Sequence, residues 1–358
     1  MTNGAQPLLR ARGLSKYFPL ESGLLASLRG AKAAVKAVES VSLDVYAGQT
    51  LAIVGESGSG KSTLGRLLLR LLQPTTGQVL YKGANIFDMS RTELRAFRRQ
   101  AQIILQDPYA SLNPRMRIGA IIREPLDIYG EGSKTERNKR VDALLERVGL
   151  TSGQACAYPS ELSGGQRQRV GIAAALALSP QIIIADEPTS SLDVSVQAQT
   201  LNLLSELQRD FNLTYVFITH DLGVVQHFSD RVAVMYLGKI VEEATTEELF
   251  AVPQHPYTQV LFSAIPAPDP SRRVDWELPQ GEPPSPLDPP SGCHFHPRCP
   301  QVMAACSSIV PKLKATAPNR RVACLLYENG ENEPPSTPSV FLHRVAAASY
   351  PNRKSNPG

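Results

Sequence analysis

Nine consecutive residues, Gly55-Glu56-Ser57-Gly58-Ser59-Gly60-Lys61-Ser62-Thr63, restrict this chain more than any other stretch of it. They match the spacing G-x-x-x-x-G-K-[ST]. They also stand in the one context where that spacing has physical meaning, between a continuous apolar run, Thr50 to Val54, and Lys61 to Leu72, where Leu64, Leu67, Leu68, Leu71 and Leu72 follow helical spacing. A strand, a glycine-rich turn and a helix in that order point successive backbone N–H groups inward, with the positive end of the helix behind them. The loop therefore reads as a phosphate cradle, in which Lys61 holds β- and γ-phosphates and Ser62 offers its hydroxyl to Mg²⁺. A turn that binds nothing has no use for the Lys-Ser pair. Short apolar runs alternate with amphipathic helical patterns from residue 1 to about 265, which predicts an α/β fold with a P-loop and a mainly parallel, mixed sheet. Further strands are expected at Gln181 to Ala185 and Tyr215 to Thr219, an Ala-rich helix at Ser163 to Leu178, and a closing hairpin at Val232 to Met235 and Lys239 to Glu243.

A nucleotide site of this kind needs an acidic residue at the end of a neighbouring strand, and Ile182-Ile-Ile-Ala185-Asp186-Glu187-Pro188 supplies two. Asp186 can hold Mg²⁺ through water, and Glu187 can orient and deprotonate an attacking water. Alone, such a pair also suits a helix cap before Pro188. Between loop and acidic strand lies Leu162-Ser163-Gly164-Gly165-Gln166, at the head of a helix, a second set of open N–H groups suited to an anion. One nucleotide does not need two such devices from one chain. Ser163, Gly164 and Gly165 are expected to grip the γ-phosphate of ATP held by another subunit.

With these motifs the chain resembles the ATP-binding subunits of ABC transporters, over residues 8 to about 325. The resemblance implies an ABC ATPase fold with a helical signature subdomain at about 107–178. It also implies that Tyr17, or Phe18 in its place, stacks on adenine. Gln106 would link Mg²⁺ and the attacking water to membrane subunits, Asp193 would span the dimer, and His220 would contact the γ-phosphate. Ala174 and Ser191 depart from the family's usual Arg and Ala, and neither change removes a reacting group. Gln106-Asp-Pro-Tyr-Ala-Ser-Leu-Asn-Pro114, Asp193 to Gln199, His255-Pro-Tyr-Thr-Gln259 and the Cys293 to Cys299 segment narrow the resemblance to oligopeptide/dipeptide importer ATPases, and the segments Phe18 to Lys36 and Val38 to Gly60 to the second, F-type ATPase of the pair. The implied partners are a second ABC ATPase subunit, two transmembrane permease subunits and an extracellular or periplasmic peptide-binding protein. The implied location is the cytoplasmic face of the membrane. Nickel or glutathione cargo, or a soluble ABC ATPase acting on nucleic acid or ribosomes, are the alternatives.

Composition sharpens this. The longest apolar stretch, Val170 to Leu178, falls well short of the ~18 residues of a membrane-spanning helix. The N-terminus lacks the order of a secretory signal, so a cytosolic chain with reduced cysteines is expected. Net charge is +4 with its Lys and Arg scattered, so no basic stripe argues for nucleic acid. Nine prolines between Ile265 and Pro290 read as a linker at 266–290, followed by a Cys-rich extension at 291–328 and a disordered tail at 329–358. Four of five cysteines, Cys293, Cys299, Cys306 and Cys324, cluster in the extension with His294 and His296 nearby, while Cys156 lies far off and carries no role. Clustered reduced thiolates favour a metal, and no zinc-finger spacing is present. The resembled family carries a [4Fe-4S] cluster on a matching set, which makes that the first reading; Zn²⁺ is the second and unliganded thiols the third.

Overall fold

The computed structural model describes residues 6–19, 34–263 and 284–328. The strands are β1 Leu9–Pro19, β2 Ala34–Val45, β3 Thr50–Val54, β4 Thr76–Tyr81, β5 Ala84–Asn85, β6 Ala101–Ile104, β7 Ile182–Asp186, β8 Thr214–Thr219, β9 Arg231–Tyr236, β10 Lys239–Thr245, β11 Lys314–Ala317 and β12 Arg320–Val322. The helices are α1 Lys61–Leu68, α2 Arg91–Gln100, α3 Pro108–Ser111, α4 Ile118–Tyr129, α5 Lys134–Arg147, α6 Gly164–Leu176, α7 Val194–Phe211, α8 Leu222–Phe228, α9 Thr246–Ala251 and α10 Pro256–Ser263. Two compact units share them, one drawn from Met1–Leu9, Val45–Thr50 and Tyr81–Thr219, the other from Arg10–Asp44, Leu51–Leu80 and His220–Gly358.

In the first unit β7 lies between β6 and β8, parallel to both, with Ile183 opposite Gln102 and Tyr215. Every residue of β7 and β8 is buried, as continuous apolar runs in a parallel sheet require. The helices start where their caps dictate: Ser90 with Glu93, Ser133 with Glu136, and Ser163 with Gln166 each close a reciprocal capping box on α2, α5 and α6. Helix α6 stops at Leu176, two residues short of the expected end, because the chain turns at Ser179 with φ of 50°.

The second unit pairs β3 with β9 in parallel, and β9 with β10 antiparallel, matching the expected hairpin. That hairpin does not close the sheet. Strand β12, from the Cys-rich extension, adds antiparallel to β10 with Glu242 opposite Val322 and Glu243 opposite Arg321, and β11 pairs with β12 in turn. The reason lies on β10, whose Ile240 to Ala244 are all buried. An edge strand with no exposed face needs a cover, and the Glu243 carboxylate, 1% exposed, needs the guanidinium groups of Arg231 and Arg321 that bind it. A core of Val54, Val234, Tyr236, Tyr257 and Phe262 also takes in Phe295 of the extension. Helix α1 ends at Leu68 rather than Leu72, since Arg70 takes a left-handed turn with φ of 51°.

No helix among the described residues is long and apolar enough to cross a membrane. The proposed linker falls outside the described residues up to 283, the tail 329–358 wholly so, and of Phe18 to Lys36 the residues 20–33 do.

Candidate active site

The second unit carries the phosphate loop. Strand β3 delivers Gly55, and Gly60 takes the left-handed conformation, φ 102°, that starts α1 at Lys61. A side chain at Gly60 would run into the Ala37 carbonyl, so only glycine fits. Lys61 is buried, and its ammonium donates to the carbonyls of Gly55 at 2.8 Å and Glu56 at 2.9 Å, which folds the cation back over the loop. The Ser59 N–H donates to the Glu56 carbonyl at 3.2 Å, and the Ser59 carbonyl accepts from Gly238 at 2.9 Å. The Ser59 hydroxyl is buried with no hydrogen-bond partner among the described residues. Ser57 and Gly58 are exposed at the crest, and Ser62 and Thr63 are half-buried in the first turn of α1.

Two sequence-derived candidates of this unit stand on other elements. Tyr17 is half-buried on β1, its N–H donating to the Thr75 hydroxyl at 2.9 Å; Phe18 beside it is exposed. His220 is exposed immediately before α8, which Asp221 caps by accepting from the N–H of Gly223 at 2.9 Å and Val224 at 3.3 Å.

The first unit carries the remaining groups. Asp186, 4% exposed, ends β7. Glu187 follows in left-handed backbone, φ 46°, an unfavourable conformation for a residue with a side chain. It is held there by its N–H to the Ile218 carbonyl at 2.9 Å and by its carbonyl, which accepts from the Ser190 hydroxyl at 3.1 Å. Its carboxylate accepts a hydrogen bond from Gln106 Nε2 at 3.1 Å. Gln106 itself is exposed, just after β6. The loop glutamine and the acidic pair, 80 residues apart in the chain at the closest, thus meet through one bond.

At the head of α6 the Ser163 hydroxyl accepts from the Gln166 N–H at 3.3 Å, while the Gln166 side chain accepts from the Ser163 N–H at 2.9 Å. Gly164 and Gly165 form the first turn, and a Cβ at Gly165 would stand 2.5 Å from Val196 Cγ1 on α7. Asp193 is exposed at the start of α7, where its side chain makes no cap.

The four clustered cysteines line one cavity of the second unit with His255, Phe295 and His296. All are free thiols. Burial pushes the Cys293 thiol above its ordinary pKa, Cys299 to about 11 and Cys324 to about 12. His294 does not join them: its Nδ1 lies 3.2 Å from the Leu237 carbonyl and its Nε2 3.6 Å from Glu39. His255 takes that place, 1% exposed and held neutral by burial that lowers its pKa to about 3. Among the described residues no three His, Cys, Asp or Glu side chains are spaced to hold a single metal ion, whereas Zn²⁺ needs its sulfurs within ~2.3 Å of one centre. The Ser62 hydroxyl of the second unit and the Asp186 carboxylate of the first are each hard oxygen donors of the kind Mg²⁺ takes.

Residues 38–190 match the family model "ABC transporter", and residues 241–306 match "Oligopeptide/dipeptide transporter, C-terminal region". The Oligopeptide transport ATP-binding protein AppF of Bacillus subtilis is 51% identical over 325 residues, covering 90% of this chain and 98% of its own. The chain is an ATP-binding subunit of the oligopeptide/dipeptide ABC transporter family, of the F type. A probable peptide ABC transporter ATP-binding protein of Sinorhizobium fredii, y4tS, is 52% identical over 88% of this chain and 89% of its own. Among solved structures, the dimeric post-hydrolysis state of the ATP-binding cassette MJ0796 bound to ADP and Pi superposes with a TM-score of 0.59 at 31% identity, covering 66% of this chain and 98% of that one. The ABC ATPase fold expected from the motifs is therefore borne out.

Sequence reasoning missed how this ABC ATPase joins its extension to its phosphate loop. Arg298 Nη1 lies 3.2 Å from the Glu56 carboxylate, and the Tyr257 hydroxyl accepts from the Glu56 N–H at 2.9 Å. Arg298 stands one residue before a noted cysteine and Tyr257 inside a noted motif, yet nothing in their local spacing points 242 and 201 residues back along the chain.

Proposed function

We propose that this ABC ATPase powers peptide uptake, with the chemistry divided among groups that its two units carry. The loop N–H groups and Lys61 bind the β- and γ-phosphates of ATP. Ser62 and Asp186 are the oxygen donors that would hold Mg²⁺, and the ion would supply positive charge against those phosphates. Glu187 accepts the proton of the attacking water as its oxygen bonds to the γ-phosphorus and the bond to the β-phosphate oxygen breaks, giving ADP and phosphate. His220 steadies the γ-phosphate, Tyr17 stacks on adenine, and Ser163, Gly164, Gly165 and Gln166 grip the γ-phosphate of a nucleotide held by a second ATPase subunit, with Asp193 at that junction. The dimeric MJ0796 structure supports such a sandwich. Loss of the γ-phosphate removes charge-assisted contacts and opens the dimer.

Gln106 passes that movement to two permease subunits at the cytoplasmic face of the membrane, and a peptide-binding protein outside supplies the cargo. The names of the AppF and y4tS relatives support peptides as that cargo. The partition proposed is an ATPase domain over 1–265, a linker over 266–290, an extension over 291–328 and a tail beyond it. In the extension, Cys293, Cys299, Cys306 and Cys324 are proposed as ligands of a [4Fe-4S] cluster ahead of Zn²⁺, in a structural or regulatory role, since ATP hydrolysis transfers no electron.

The observation that carries the ATPase reading is the bond from Gln106 to a Glu187 carboxylate held in constrained backbone. In the assembled transporter, Glu187→Gln keeps shape and hydrogen bonding but removes the base. Steady-state phosphate release should fall by about two to four powers of ten with ATP binding retained. Release within threefold of the unsubstituted rate would refute the assignment.

A further inference from the structure

Glu56 poses an electrostatic problem. It is the second residue of a loop built to hold a polyanion, and a carboxylate beside bound phosphates opposes them. The structure answers it with a residue from the far end of the chain. Arg298 Nη1 lies 3.3 Å and 3.2 Å from the two Glu56 carboxylate oxygens and 3.5 Å from the Tyr236 hydroxyl. The Arg298 side chain is 9% exposed and that of Glu56 28%, so solvent screens the pair only partly.

The pair is also held rigidly. Tyr236, Tyr257 and Phe295 form a ring cluster with centroids 4.5 to 5.4 Å apart. Phe295 anchors the turn that carries Arg298, whose N–H donates to the Phe295 carbonyl at 3.0 Å. The Tyr257 hydroxyl accepts the Glu56 N–H, and the Glu56 carbonyl accepts from Lys61. One connected set of contacts thus runs from the extension through Glu56 to the ammonium that meets phosphate. A purely structural extension could have packed on β10 and the ring cluster without placing a cation on this loop.

We propose that Arg298 is a positioning residue of the nucleotide site: it neutralises and fixes Glu56 so that the phosphate loop accepts a nucleoside polyphosphate, which makes the Cys-rich extension part of the ATPase machinery. This rests on the ATPase reading above, and equilibrium binding of a fluorescent ADP analogue separates the two, because ADP binding requires neither hydrolysis nor a partner subunit.

With the full chain, Arg298→Ala should weaken ADP binding about tenfold, and in the assembled transporter it should raise KM for ATP by a similar factor with kcat little changed. Arg298→Lys, which keeps the charge, should stay within about threefold of the unsubstituted chain. Adding Glu56→Gln to Arg298→Ala should recover most of the loss, because the uncompensated carboxylate is gone. A role confined to folding predicts no such recovery, and circular dichroism melting of each variant reports folding separately. ADP affinity unchanged in Arg298→Ala, or weakened without recovery in the double variant, overturns the proposal. Should Arg298→Ala fail to fold, an Arg298→Lys variant that binds ADP tenfold more weakly while melting normally overturns it equally. An unsubstituted chain that binds no ADP overturns the ATPase reading instead.

Discussion

Glu242 offers the sharpest test of how the extension is tied to the ATPase unit that carries the phosphate loop. It lies in the middle of β10 between β9 and β12, fully buried, and its two carboxylate oxygens accept the backbone N–H groups of Gln254 and His255, each at 2.9 Å. Those bonds set the turn that leads to Tyr257, whose own N–H donates to His255 Nδ1 at 3.0 Å. Glu242→Ala leaves two buried N–H groups without partners, at about 1–3 kcal/mol each, and opens a cavity; a loss of about 3–5 kcal/mol is expected. Glu242→Gln keeps one acceptor oxygen and turns an amide N–H toward the other donor, so about half that loss is expected. Urea denaturation of the full chain, followed by circular dichroism, measures both.

The pH dependence has a definite sign. Burial raises the Glu242 pKa above its ordinary 4.5, so the folded state holds the proton to higher pH than the unfolded state does. Below the ordinary value both states are protonated and the group's contribution is fully present. As pH rises from there through the folded-state pKa, that stability is lost at up to ~1.4 kcal/mol per pH unit. The advantage of the unsubstituted chain over Glu242→Gln should therefore shrink as pH rises above the ordinary value of 4.5. A gap that stays flat above that value, or an Ala variant within about 1 kcal/mol of the parent, refutes the reasoning.

Gly165→Val puts branched carbons where even a Cβ stands 2.5 Å from Val196 Cγ1, so the Val196 side chain or the head of α6 must shift. Thermal melting should show a loss of about 1–3 kcal/mol, and ATPase activity of the assembled transporter should drop sharply; unchanged values for both would contradict the packing account. For the cysteines, anaerobically purified chain should contain iron and acid-labile sulfide, and Cys299→Ser should reduce both. A colourless preparation free of iron and sulfide rules out the cluster, and stoichiometric zinc in its place selects the second reading.

Legibility followed the range of the interactions involved. The phosphate loop, the acidic end of β7 and the Ser163 cap on α6 were readable because each is a local device, in which backbone curl, strand ending or helix start is set by residues within one or two turns. The helix ends at Leu68 and Leu176 were misplaced because Arg70 and Ser179 turn the chain in left-handed backbone that apolar spacing does not reveal. The hairpin read as closing for the same reason in reverse: the alternation within β9 and β10 is local, but the need to cover β10 is met by Arg320–Val322, about 80 residues on.

The amino-acid order alone determined the P-loop fold, the family and the presence of a four-cysteine set, since these depend on which side chains occur at fixed short spacings. Only the tertiary structure decided that Gln106 meets Glu187, that His255 rather than His294 accompanies the cysteines, and that Arg298 reaches Glu56. Each of those outcomes depends on which distant segments are packed together when the apolar cores form. Core packing brings whole faces together and leaves no mark in the local spacing of the residues it joins.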